Sequence, residues 1–111
     1  GVPGDAGPLP LPAGFPGDVY LPPRYEIDSV LDMDGTTMVN LRVSGQVDAL
    51  FADAGGAMTR LGWQRTLSRR DAGHSAVLAF EKGPRTAVLS FARGHGAGDV
   101  TLGLQLHDRQ Q

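Results

Sequence analysis

Cysteine is absent from this 111-residue chain, which excludes a disulfide framework and any thiolate metal cage. No apolar run approaches the roughly 18 residues that a membrane-spanning helix requires. Aromatic residues are few, at 6%, and all except Tyr20 fall at positions that suit a core. The chain therefore lacks the exposed stacking groups of nucleic-acid modules, and its pI of about 5.8 lacks their basic balance. What remains is 41% apolar and 20% charged, the composition of a folded globular chain of one domain. A chain of this length buries about 60–70% of its unfolded surface, enough for one core without staples.

The net charge of −2 hides an asymmetry. Residues 1–59 carry eight acids against Arg24 and Arg42, whereas residues 60–111 carry eight bases against Asp71, Glu81, Asp99 and Asp108. The halves stand at −6 and +4. A single sheet in which acidic and basic strands are neighbours accounts for this, because opposite cross-strand charges stabilise modestly.

Proline is concentrated at one end, with seven of eight in residues 1–24. Residues 1–14 offer only Leu9 and Leu11 as sizeable apolar groups and are expected to be a flexible, extended tether ahead of a domain at 15–111. Residues 15–23 differ, since Phe15, Val19, Tyr20 and Leu21 cluster there. Pro22 and Pro23 keep that segment out of a helix, and it is expected to lie across the domain as a docked, extended arm.

Beyond Pro23 the periodicity becomes strand-like. Tyr25, Ile27 and Ser29 alternate with polar neighbours, with a bulge expected where Val30 breaks the pattern. "MDGT" supplies an Asp-Gly turn, and Val39, Leu41 and Val43 continue as a half-buried strand. Ser44 is the expected helix cap. Val47, Leu50, Phe51, Ala54, Met58 and Leu61 follow at helical spacing, and Gly62 is the stop. Gly55 and Gly56 each cost about 1 kcal/mol relative to Ala inside a helix; close approach of the helix backbone to the sheet would explain them. Four more strands follow around Trp63–Leu67, Ala76–Phe80, Ala87–Phe91 and Val100–Leu106. The expected fold is α+β: an antiparallel meander in the order ββαββββ, its chain neighbours paired throughout, with one amphipathic helix on one face.

The chemistry-bearing motifs are weak. "GHGAG" (94–98) leads into a strand rather than a helix N-terminus and lacks the Gly-Lys-Ser/Thr of a phosphate loop. His74, His95 and His107 have no zinc-ligand spacing, so neither a metal nor a cofactor is expected. Asp71, His74 and Ser75 are the residue types of a nucleophilic triad, but one turn rarely gives them the geometry. Glu26/Asp28 and Asp32/Asp34 are carboxylate pairs in a solvated hairpin. The arginines are more suggestive. Arg60, Arg65, Arg69, Arg70, Arg85 and Arg93 either form a face for an anionic partner or pair with the acidic hairpin.

"DVYLPPRYEI" opening the domain, "LGW" closing the helix and "LAFEKGPRTAVLSF" as a hairpin resemble small secreted or lipid-anchored envelope domains of Gram-negative bacteria. That resemblance implies a Pro-rich lead, two strands, a helix ending in Gly-Trp and a meander over residues 15–107. It brings no reaction and no functional residues. The expected function is a non-enzymatic protein-binding module, periplasmic or outer-membrane-anchored, with any targeting segment preceding Gly1. Its partner is expected to be an envelope protein with an acidic surface. Arg65, Arg69, Arg70, Arg85, Arg93 and Tyr20 are the candidate contact residues. The alternatives are an inhibitor or immunity protein that caps a toxin or hydrolase, and a small hydrolase working through His74 or His95.

Overall fold

The computed structural model describes residues 10–109. The chain runs β1 (Glu26–Met33), β2 (Thr36–Ser44), α1 (Val47–Arg60), β3 (Gln64–Asp71), β4 (Ser75–Lys82), β5 (Arg85–Arg93) and β6 (Asp99–Asp108). All six strands join one open sheet in the order β1-β2-β6-β5-β4-β3, and every neighbouring pair is antiparallel. Pairing between chain neighbours fails at one place: β2 lies beside β6, and α1 carries the chain over the sheet to start β3 at the far edge. The acidic and basic strands are consequently not neighbours, as charge balance had suggested. The two edges of the sheet are β1 and β3.

The core lies between the helix and one face of this sheet. Ile27, Leu41, Leu102, Phe91 and Ala76 stand in one cross-strand row, and Val39, Leu104, Leu89 and Leu78 in the next; all are buried. On β3 these rows end in Arg70 and Ser68. A bulge between Arg65 and Leu67 then sends Leu67 to the opposite face, although simple alternation would place it beside Arg65. Every residue of β3 is exposed as a result. The bulge expected in β1 falls between Ile27 and Ser29.

The helix buries Val47, Leu50, Ala54, Gly55 and Met58, while Phe51 is only partly covered and meets Phe91 edge-to-face at 6.3 Å. Ser44 does not cap it. It is the last residue of β2, paired with Asp99, and the cap position passes to Gln46, which makes no side-chain cap bond. Gly45 turns the corner at φ 145°, its N–H donating to the Gly98 carbonyl. At the other end Trp63 N–H donates to the Met58 carbonyl and Gly62 N–H to that of Thr59. Gly62 adopts φ 95°, so "LGW" is a Schellman motif that seats Trp63 on the core.

The arm completes the covered face. Val19, Tyr20 and Pro22 are buried, and Leu11, Phe15 and Leu21 pack against the core. Of the stretch expected to be a tether, residues 1–9 lie outside the described residues, and the packed segment begins at Leu11. One side chain fastens the arm. Asp18 accepts two bonds from Arg85, at 2.7 and 2.8 Å, and one from Lys82 at 2.8 Å, while its carbonyl accepts the Trp63 indole N–H. The Arg85 guanidinium, with Lys82 behind it, holds the Asp18 carboxyl well below the usual carboxylate range despite the opposing effect of burial. Arg85 also lies over the Trp63 ring, 4.8 Å from its centroid, a cation–π arrangement.

Candidate functional site

The six expected contact residues do not gather on one face. Arg85 is consumed by Asp18 and Trp63. Tyr20 is 8% exposed, its N–H donates to the Met58 sulfur, and burial followed by the Asp53 charge pushes its phenol up; it packs the arm and is not a free anchor. Arg93 sits at the end of β5, where its N–H donates to the His74 carbonyl. The remaining three, Arg65, Arg69 and Arg70, all lie on β3.

Their faces differ because of the strand's pleat. Arg65 and Arg70 pair with Phe80 and Ala76 and so point to the helix side, whereas Arg69 pairs with Val77 on the open side. Arg70 reaches Asp48 in the first turn of α1 at 3.6 Å, and the same carboxylate accepts the Gly73 N–H. Arg65 lies against the glycine pair: its Nη1 is 3.5 Å from where a Cβ on Gly55 would stand. Arg60 folds back from the last turn of the helix, with Nη1 3.2 Å from the equivalent point on Gly56. An alanine Cβ at Gly55 would make only ordinary contacts, so close approach to the sheet does not demand this pair. What the glycines admit is two guanidinium groups, one from each side of the helix–β3 junction.

Among the described residues, Arg60, Arg65 and Arg69 have no hydrogen-bonded or ion-paired side-chain partner. The sheet order explains why. The acidic hairpin β1–β2 is at the opposite edge, with β6, β5 and β4 between β2 and β3. Four strand spacings amount to about 19 Å, more than twice the Debye length of about 8 Å at physiological salt. Three of the four hairpin acids are instead engaged locally: Glu26 and Asp28 both pair with Arg42, and Asp32 accepts from Thr37.

Two concavities flank the arm. One, of about 440 Å³, is lined by Asp18, Asp32, Trp63, Arg85 and His107 among others. Thr36 Oγ1 and His107 Nδ1 are 2.9 Å apart there, but they are directly paired across β2 and β6, as the ladder requires. The other, of about 640 Å³, lies between the Pro22–Tyr25 segment and the start of α1. His74 and His95 stand in the β3–β4 and β5–β6 connections. Among the described residues neither imidazole has a partner, and no three His, Cys, Asp or Glu side chains converge as a metal cage would need. No helix among them is long and apolar enough to cross a membrane.

No protein-family model, curated protein or solved structure matches this chain.

Proposed function

We propose that the domain is a non-enzymatic protein-binding module of the bacterial cell envelope, and that it holds an acidic partner along β3 and the adjoining end of α1. The observation that carries this reading is the sheet order, which leaves Arg60, Arg65 and Arg69 unneutralised at one edge. Guanidinium groups bind carboxylates in a two-pronged geometry that ammonium groups do not offer. The envelope placement rests on the sequence resemblance of residues 15–107. Attraction of this kind acts mainly on association rate and is screened by salt. The test is capture from bacterial envelope extract with the wild-type chain and with R65E/R69E as baits. The proposal expects a partner captured at about 50 mM salt and lost both at high salt and on the double reversal. A partner retained by R65E/R69E would place the site elsewhere.

A further inference from the structure

We infer that the acidic partner is bound as an extended strand that adds to β3 and becomes the seventh strand of the sheet. This rests on the preceding reading of β3 as the contact site and names the form that the partner takes.

The argument begins with backbone hydrogen bonding. Among the described residues β3 is paired only to β4, and after the bulge its register is regular from Leu67 to Asp71. An antiparallel partner uses the N–H and C=O of alternate residues, so the remaining residues of that stretch direct theirs outward. β3 buries none of its eight residues, and nothing in the described fold covers its outer side. An incoming strand therefore meets a regular row of donors and acceptors with no side chain to displace.

Charge then selects what enters. Edge strands are commonly charged to prevent pairing with other chains, and arginines on β3 repel a second β3. They do not repel an acidic strand. With Arg65 on the helix side and Arg69 on the open side, unpartnered guanidinium groups flank both faces of an added strand. Carboxylates at successive positions, which point to opposite faces, would each meet one. Arg60 extends the helix-side group over Gly56.

A second copy of the chain is the competing occupant, because its β1 is an exposed edge rich in acids. Those acids are already engaged, however: Glu26 and Asp28 by Arg42, and Asp32 by Thr37. On β3, by contrast, Arg65 and Arg69 have no side-chain partner within the described fold, which points to an acidic segment of another protein.

The experiment uses the full chain and a synthetic peptide of about eight residues in which Glu-Glu pairs alternate with Val-Val pairs, so that carboxylates face both sides, a length matched to an ordinary strand. A companion peptide is N-methylated on alternate amides, so that it keeps its charges but cannot pair along one side. Affinity is measured by titration calorimetry, and amide exchange by NMR. The inference expects the first peptide to bind at least about tenfold more tightly than the second, and to protect alternate amides between Leu67 and Asp71. R65E/R69E should abolish binding of both. Equal, arginine-dependent binding of the two peptides, with β3 amides unprotected, overturns strand addition while leaving the acidic-partner reading intact. Failure of the unmethylated peptide to bind overturns it too. Protection of β3 that rises with protein concentration, without peptide, makes a second copy the occupant and equally overturns it.

Discussion

The two edges of the sheet are strands of equal length, eight residues each, each interrupted by one bulge, yet they are built on opposite plans. β1 contributes Ile27 to the core, and its acids are bonded to the strand beside it, Glu26 and Asp28 through Arg42 and Asp32 through Thr37. β3 contributes nothing to the core, and its neighbours supply no acid to Arg65 or Arg69. An edge whose charges are satisfied internally is a finished surface. An edge whose charges of one sign are left open selects a partner of the other sign.

The comparison is most sharply broken by asking what each strand holds up. Phe80 on β4 is fully buried and should cost about 3–5 kcal/mol on replacement by alanine, whereas Leu67→Ala on neighbouring β3 should stay within about 0.5 kcal/mol. Urea unfolding of the two variants checks this, and a large loss for Leu67→Ala would make β3 a structural strand.

The next effect concerns the arm. Asp18→Ala removes the acceptor of Arg85 and Lys82 and should cost about 2–3 kcal/mol. Because the folded-state pKa of Asp18 lies below its unfolded value, its contribution is fully present above about pH 4 and is lost as pH falls further, toward the lowered value. Wild type should therefore lose stability between about pH 4 and pH 2 more steeply than Asp18→Asn. Matching acid profiles would mean that Asp18 does not fasten the arm.

Smaller still is the change at the glycine pair. Gly55→Ala meets only ordinary contacts at Arg65 and Leu78 and should stabilise the helix by about 0.5–1 kcal/mol. Smallest are the edge charges themselves, each more than a third exposed. Arg42→Ala should lower the melting temperature only slightly, and Arg69→Ala, with nothing to lose, should leave it unchanged.

Much of this organisation is legible in the sequence, for physical reasons that differ by element. The turns at Asp34–Gly35 and Gly83–Pro84 and the Gly62 stop are local backbone chemistry, so they are readable from a few residues. The alternations of β2, β4, β5 and β6 report a buried face directly. The β2–β6 pairing is not local: nothing in either strand names its partner, and only the helix crossover decides it. From that one pairing follows the separation of acids from arginines, which composition alone had placed side by side. Ser44 shows the same competition on a smaller scale, a good cap residue taken by the sheet. Asp18 is not readable as an anchor, because a single acid within a proline-rich segment carries no pattern. Tyr20 was legible as part of a docked arm but not as a residue that docking removes from the surface.

The central claim is that β3, and not β1, meets the partner. It is tested most directly by neutralising each edge in turn and capturing from the same envelope extract at low salt. E26Q/D28N should retain the partner within about twofold of wild type, while R65E/R69E should reduce its yield by at least about tenfold. Loss of the partner from E26Q/D28N, with R65E/R69E still binding, would contradict the account.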